Sequence, residues 1–95
     1  MDNLNFDWDD SNIGHIVEHD VTPEDAEDVI LNDPLDAGFD VVEGEERWSY
    51  IGETTEGRIL RVVTTFRGER IRVVTAFEPG KHWKIFYLEQ KAGMQ

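Results

Sequence analysis

The sequence predicts an α+β fold in which two N-terminal helices and one C-terminal helix pack with an antiparallel β-sheet. Apolar residues recur at helical spacing early in the chain, whereas from residue 39 they alternate with polar residues, as in half-buried strands. Runs of strands that follow runs of helices are typical of α+β proteins. A chain of 95 residues has room for one core, so residues 1–95 are expected to form a single domain.

The chain is expected to begin with a short strand and a helix. Residues 6–8 alternate apolar and polar side chains, which is typical of a strand. Asp9, Asp10 or Ser11 can then cap a helix, because a side-chain oxygen there accepts from the free backbone N–H groups of the first turn. The apolar residues of this helix are at positions 13, 16 and 17, on one side.

A second helix is predicted to begin at Thr22. Thr22 is a good N-cap, Pro23 suits the first helical position, and Asp25 completes the capping pattern. Pro34 ends this helix, because the residue before a proline avoids helical geometry.

Four strands and a last helix are expected after it. Gly68-Glu69 fits a two-residue hairpin turn with glycine at the first central position. The sequence therefore predicts strands over 39–43, 46–53, 58–67 and 70–77 and a helix over 81–91, in the order β-α-α-β-β-β-β-α.

Composition excludes several classes of protein. The chain has no cysteine, so it has neither a disulfide framework nor a thiolate metal site. The first residues have no basic segment followed by an apolar one, and no run approaches the roughly 20 apolar residues of a membrane span. We therefore expect a cytoplasmic protein with no membrane contact and no cofactor.

Charge is divided unevenly along the chain. Residues 1–46 contain sixteen Asp or Glu and no Lys or Arg, whereas residues 47–95 contain nine Lys or Arg and five Asp or Glu. The two halves carry net charges of −16 and +4, which give −12 for the whole chain. The first half should repel nucleic acid, and the second half can attract a phosphate backbone.

The predicted hairpin brings four arginines to one face. A turn at 68–69 sets Arg67 opposite Arg70, Thr65 opposite Arg72, Val63 opposite Val74 and Arg61 opposite Ala76, and cross-strand partners share a face. The arginine face then carries Arg61, Arg67, Arg70 and Arg72, and the core face carries Leu60, Val62, Phe66, Ile71, Val73 and Phe77.

Such a cluster suits phosphodiesters, because each guanidinium stays charged and donates a bidentate pair of hydrogen bonds. Arginine can also stabilise the charge that develops at a phosphate during RNA cleavage. The structural alternative is that these arginines solvate the sheet or pair with the carboxylates of the acidic half. A register shift of one residue would disperse the cluster.

Histidine is the usual acid or base of a metal-free ribonuclease. His15 and His19 have the i, i+4 spacing of some metal ligands, but no glutamate lies between them and no third ligand is evident, so no metal site is expected. His19 at the helix end also suits the helix dipole. His82, in the last helix, is a further candidate.

Several segments in order resemble the BrnT family of RelE-like toxins. His19-Asp20-Val21-Thr22-Pro23-Glu24-Asp25-Ala26 is close to the family's His-Gly-Val-Ser-x-Glu-Glu-Ala. The other matching segments are 6–9, 45–47 with 51–52, 58–60 and 67–76. The family usually continues Ser-Ala-Arg after the last strand, where this chain has Thr75-Ala76-Phe77.

The resemblance implies a RelE-like fold and metal-independent RNA cleavage that arrests growth. It also implies neutralisation by a BrnA-type antitoxin, a DNA-binding protein that represses the operon together with the toxin. The residues expected to contact RNA or to act in catalysis are Arg61, Arg67, Arg70 and Arg72, with Glu46, Arg47 and His19 as weaker candidates.

Two functional hypotheses follow. In the first, the chain is a ribonuclease toxin in which Arg61, Arg70 and Arg72 hold the RNA phosphate and His19 or His82 moves the proton. In the second, the chain is a non-catalytic binding module on the same fold, whose acidic half meets a basic protein partner. Both a homodimer and a toxin–antitoxin hetero-oligomer are compatible with the sequence.

Overall fold

A computed structural model of the protein describes residues 5–93. Residues 1–4, which bear on the expected absence of a signal peptide, lie outside the described residues. The elements are α1 (Asp10–Val17), α2 (Pro23–Leu31), β1 (Leu35–Val42), β2 (Glu45–Glu53), β3 (Ile59–Arg67), β4 (Arg70–Phe77) and α3 (Lys81–Gly93). The predicted α+β class is confirmed.

Both N-terminal helices begin at capping boxes. Asp9 caps α1, and its carboxylate accepts from the backbone N–H groups of Ser11 and Asn12. Thr22 caps α2 as predicted: its hydroxyl accepts from the N–H of Asp25, and the Asp25 carboxylate accepts from the N–H of Thr22, each at 3.1 Å. These reciprocal bonds satisfy N–H groups that a helix start otherwise leaves free.

The four strands form one antiparallel sheet in the order β1-β2-β3-β4. The predicted turn at Gly68-Glu69 is confirmed, and Gly68 has φ +63°, a conformation that glycine adopts without steric cost. Arg67 pairs with Arg70 and Thr65 pairs with Arg72, as expected. The order of strands thus follows the order of the chain.

The strand predicted at residues 6–8 is only a single bridge. Phe6 pairs in parallel with Ile71. The N–H of Asp7 donates to the carbonyl of Ile71 and the N–H of Ile71 donates to the carbonyl of Asn5, both at 2.8 Å. The bridge ends there because the chain turns at once into the Asp9 cap of α1.

A register shift beside Val74 corrects the predicted faces of the hairpin. Val63 pairs with Thr75 and Thr64 pairs with Val73, so Val74 is an extra residue in β4. Such a bulge moves every later residue of its strand to the opposite face. The predicted partners Val63–Val74 and Arg61–Ala76 are therefore wrong: Ala76 is fully buried opposite Val62, and Phe77 lies opposite Arg61.

The main core lies between α1, α2 and one face of the sheet. Fully buried side chains from both layers meet there: Ile16, Val21, Ala26, Val29, Leu60, Val62, Val73 and Ala76. Gly52 of β2 lies under this layer, since a Cβ there would be 3.2 Å from Val29 Cγ1. Phe66, predicted as core, is 57% exposed because the helices do not reach that end of the face.

α3 lies against the opposite face of the sheet. The hydroxyl of Tyr87 donates to the Glu53 carboxylate at 3.1 Å, and the Trp83 ring lies 4.9 Å from the guanidinium carbon of Arg61. Arg61 pairs with the fully buried Ile51, so both share this face. Within residues 5–93 no helix combines the length and the apolarity that crossing a bilayer requires.

Candidate functional site

A cleft of about 570 Å³ lies between α1 and the sheet face that carries the arginines. Its walls come from α1, from the start of β2 and from the β3–β4 hairpin. The lining residues are Ser11, Asn12, His15, Glu45, Arg47, Arg67, Arg72, Val74 and Thr75. The cleft therefore combines cationic, anionic and imidazole groups within one concave surface.

Asn12 fixes α1 beside β4. Its side chain is almost fully buried, and its amide donates to the carbonyl of Asp7 at 2.9 Å and to that of Val73 at 3.1 Å. Val73 directly precedes the extra residue Val74. This contact sets the rotation of α1, so that Ile16 enters the core while His15 faces the cleft.

Arg72 is the most enclosed guanidinium of the cleft. Its side chain is only 13% exposed. It donates two hydrogen bonds to the Asp9 carboxylate, at 3.0 and 3.1 Å, and one to Asp7 at 3.2 Å. These hydrogen bonds hold the pKa of the Asp9 carboxyl below its ordinary value and raise the pKa of Arg72.

Glu45 joins the other two arginines of the cleft. Arg47 donates to one carboxylate oxygen at 2.9 Å, and Arg67 donates to the other at 3.4 Å. The hydrogen bond from Arg47, followed by the contact with Arg67, lowers the pKa of the Glu45 carboxyl. Glu45 is therefore anionic near neutral pH and holds both guanidiniums toward the cleft.

The ion pairs at this end of the sheet form two networks, Arg47–Glu45–Arg67 and Arg70–Asp7–Arg72–Asp9. Two more carboxylates lie nearby, that of Glu69 in the hairpin turn and that of Asp40 opposite Arg47. Arg67 and Arg70 are 56% and 63% exposed, so their donors remain accessible to a ligand. A phosphodiester can exchange with these carboxylates, since it offers the same kind of anionic oxygen.

His15 is the histidine that the fold brings to the cleft, and it was not among the predicted site residues. Its Nε2 atom lies 3.0 Å from the hydroxyl oxygen of Thr75. The spacing of Ser11 and His15 places both on one side of α1. That spacing is a weak signal by itself, because the contact with β4 depends on residues about 60 positions later in the chain.

The other two histidines lie elsewhere. His19 follows α1, with its ring 5.5 Å from that of His15 and 6.0 Å from that of Phe77. His82 lies on α3 in a separate depression beside Asp36 and Ala37 of β1. His82, although a candidate from the sequence, therefore does not face the arginine cleft.

Arg61 and Glu46 also lie apart from the cleft. Arg61 shares the arginine face but is covered by Trp83, and its buried Nε has no hydrogen-bond partner within residues 5–93. Glu46 pairs with Val41 and lies on the opposite face, where its carbonyl accepts from the Thr65 hydroxyl. Of the predicted residues, the structure brings together Arg47, Arg67 and Arg72, with Arg70 at the rim.

The part of the chain between residues 5 and 93 contains no group of three or more His, Asp or Glu side chains arranged to hold a metal ion. The pair His15 and His19 has its rings in edge contact rather than arranged around a common point. The charged groups that the structure gathers are thus guanidiniums and their carboxylate partners.

Comparison with known proteins identifies the family. Residues 8–79 match the family described as the ribonuclease toxin, BrnT, of a type II toxin–antitoxin system. No curated protein matches the chain significantly. The matched range includes α1, α2 and the whole sheet, and therefore every residue of the cleft. The chain belongs to the BrnT family of ribonuclease toxins, which act as part of type II toxin–antitoxin systems.

Proposed function

We propose that this chain cleaves RNA in the cleft between α1 and the sheet, without a metal ion, and that a BrnA-like antitoxin neutralises it. The observation that carries the proposal is the meeting of Arg47, Arg67, Arg72 and His15 in one cleft. An RNA cleavage site needs cationic donors for the phosphate and a group that moves a proton. These four side chains provide both.

Cleavage would proceed by attack of the ribose 2′-oxygen on the adjacent phosphorus. A bond forms between that oxygen and phosphorus, and the bond from phosphorus to the 5′-oxygen of the next nucleotide breaks. His15 takes the proton from the 2′-hydroxyl, and the leaving 5′-oxygen receives a proton from solvent. The products are a 2′,3′-cyclic phosphate and a free 5′-hydroxyl.

The arginines would bind the phosphate and stabilise the transition state. Negative charge on the phosphoryl oxygens grows as the 2′-oxygen attacks, so donors that are already oriented stabilise the transition state more than the substrate. Arg67 and Arg70 are exposed and meet the RNA first. Arg72 lies deeper, where less water screens its charge, and its approach to a phosphate requires the release of Asp9.

Some roles expected from the sequence are changed in this proposal. Arg67, Arg70 and Arg72 keep the role in RNA contact that the sequence predicted, and so does Arg47, which was a weaker candidate. Arg61 becomes a support for α3, because Trp83 covers its guanidinium. His15 takes the proton-transfer role first considered for His19 or His82, because it is the one of the three that lines the cleft.

The test is growth of a bacterial host after induction of the chain, together with the state of its RNA. Arg67→Gln/Arg70→Gln should lower cleavage by about tenfold or more, since each lost donor weakens transition-state stabilisation. The matched control is Lys81→Gln/Lys84→Gln, which removes the same charge from α3. Arrest by the wild type and the control, with relief in the arginine variant, supports the proposal. Equal behaviour of the two variants contradicts it.

The second candidate is a binding module without catalysis. It is favoured by one observation: Asp7, Asp9 and Glu45 already form ion pairs with the cleft arginines, most closely with Arg72. In this case the host grows normally while folded wild-type protein accumulates, and purified protein leaves RNA intact. The arginine variant then behaves like the wild type in both measurements.

A further inference from the structure

Three aromatic rings form a row at one end of the sheet, on the face opposite the arginine cleft, with the half-buried Trp48 between two exposed phenylalanines. The Trp48 ring lies 5.3 Å from the ring of Phe39 on one side and 5.3 Å from that of Phe66 on the other. Phe39 and Phe66 are 55% and 57% exposed, and Val41, beside the row, is 52% exposed. We refer to Phe39, Val41, Trp48 and Phe66 as the aromatic row.

The aromatic row continues the face that α1 and α2 cover elsewhere. Trp48 pairs with Phe39 and with Thr64, and Thr64 pairs with the core residue Val73, so these residues share the face of the main core. The helices cover the middle of this face and end before the row. A depression of about 480 Å³ remains between Val41 and Phe66. Contiguous apolar surface of this kind typically marks a binding site.

The surroundings of the aromatic row are acidic. Glu46 lines the depression beside Trp48. Glu45, which also borders the cleft, lines the depression too, and Glu43 lies in the adjacent turn between β1 and β2. Asp40 lies on the opposite face, since it pairs with Arg47, and Asp36 borders the separate depression beside α3. The nearest arginines of the hairpin, Arg67 and Arg70, alternate with Phe66 and Ile71 and so lie on the opposite face. A basic partner is therefore favoured electrostatically.

The spacing of the rings fits an α-helix that crosses the strands. The two outer rings are no more than about 11 Å apart, given the two centroid distances. Seven residues of helix advance by about 10.5 Å, so apolar residues at i, i+3 or i+4, and i+7 match the length of the row. Docking of an amphipathic helix into an apolar groove is a common mode of recognition.

We propose that the aromatic row is the docking site for a basic amphipathic helix of the antitoxin. The proposal rests on the antitoxin partner that the family implies and is independent of RNA cleavage. Apolar side chains of the helix would cover Phe39, Trp48 and Phe66, and its Lys or Arg residues would flank Glu46. The site lies on the sheet face opposite the cleft, so the antitoxin would reach the toxin on a surface that RNA does not use.

Charge argues against the two other occupants of such a surface. A second copy of the chain would bring a second net charge of −12 and a second acidic rim against the first. Single-stranded RNA stacks on exposed aromatic rings, but its phosphates would meet the carboxylates around the row. A basic helix satisfies both the apolar and the acidic features.

The probe is a synthetic helical peptide with leucines at i, i+4 and i+7 and lysines at the flanking positions. We would titrate the full chain with it, following backbone amide shifts by NMR and affinity by fluorescence anisotropy. The expected result is a set of shifts centred on Phe39, Trp48 and Phe66. A control peptide with glutamate in place of each lysine should bind at least about tenfold more weakly.

Phe66→Ser tests the surface directly, and Leu88→Ser is its matched control, since Leu88 is 54% exposed on α3. Phe66→Ser should weaken binding about tenfold or more, and Leu88→Ser should leave it unchanged.

Equal affinity of both variants, equal binding of the glutamate peptide or shifts confined to another surface would overturn the proposal. So would dimerisation of the chain through Phe66, or binding of a single-stranded RNA oligomer there. None of these measurements requires RNA cleavage, so their failure is distinct from failure of the proposed activity.

Discussion

The guanidinium of Arg72 and the carboxylate of Asp9 form a bidentate hydrogen-bonded ion pair, with donor–acceptor distances of 3.0 and 3.1 Å. Asp9 is also the N-cap of α1, so one carboxylate both starts the helix and restrains an arginine of the cleft. A phosphate approaching Arg72 has to replace this carboxylate. In the proposed function, the acidic N-terminal segment would therefore tune how strongly the cleft binds RNA.

Asp9→Asn should strengthen binding of single-stranded RNA. Asparagine is as good an N-cap as aspartate, so α1 keeps its start while Arg72 loses the two hydrogen bonds to an anionic Asp9 and keeps one to Asp7. One more phosphate can then be neutralised, which should make the slope of log affinity against log salt steeper by about 0.7. Filter binding of a short RNA at several salt concentrations measures this slope.

Asp10→Asn is the matched control for this prediction. Asp10 is exposed in the first turn of the same helix, and its substitution removes the same negative charge. Within the described residues, however, Asp10 forms no ion pair with Arg72. Identical slopes for Asp9→Asn and Asp10→Asn would show that only the overall charge matters, and the role given to the Asp9–Arg72 pair would then be wrong.

Gly52→Ala should destabilise the fold. A Cβ at Gly52 would lie 3.2 Å from Val29 Cγ1 and 3.3 Å from Pro34 Cβ, so α2 or the segment after it has to move away from the sheet. Overpacking of this kind costs about 1–3 kcal/mol of unfolding free energy. Urea unfolding followed by tryptophan fluorescence measures the change.

Gly14→Ala provides the control, because a Cβ there meets nothing within 4 Å and Gly14 lies inside α1. Alanine has the higher helix propensity, so this variant should gain about 0.5–1 kcal/mol. A stable Gly52→Ala variant would mean that the close packing of α2 on β2 is not a constraint on the fold.

Tyr87 should make the protein sensitive to alkali. Burial, followed by the hydrogen bond to Glu53, raises the pKa of the Tyr87 hydroxyl to about 12. The unfolded chain loses this proton near pH 10 while the folded chain retains it. The contribution of the protonated Tyr87 hydroxyl to the free energy of unfolding is therefore complete below pH 10 and is lost as the pH rises toward 12. After allowance for solvent screening, the loss should be on the order of 1–2 kcal/mol.

Tyr87→Phe isolates this effect, since phenylalanine keeps the ring and removes the titrating group. As the pH rises from 9 to 12, the unfolding free energy of the wild type should fall relative to that of Tyr87→Phe. Parallel curves for the two proteins would contradict the assignment and would mean that Tyr87 is ionised equally in both states.

The sequence predicted the elements whose signals are local. Thr22 and Asp25 define the start of α2 within four residues, and Gly68-Glu69 defines the last hairpin. Both predictions are confirmed because short-range hydrogen bonds and backbone conformation determine these features. The arginine face near Arg67 and Arg72 followed directly from that turn.

The features that the sequence could not predict depend on contacts between distant segments. No local sequence pattern marks Val74 as an extra residue of β4. Its presence nevertheless places Ala76 on the core face and Phe77 on the opposite face. His15 reaches the cleft only because Asn12 binds the carbonyl of Val73. Phe66 alternates like a core residue, but alternation does not show how far the helices extend over the sheet.

The most direct test of the proposed site is the rate at which purified protein cleaves a short single-stranded RNA, compared between His15→Gln and His82→Gln. Both variants replace an exposed histidine with a neutral side chain of similar size, but only His15 lies in the cleft. Loss of a proton-transfer group costs about a hundredfold or more in rate. We expect this loss in His15→Gln alone, with wild-type rates in His82→Gln. Equal rates in all three proteins, or loss in His82→Gln instead, would contradict the placement of the active site in this cleft.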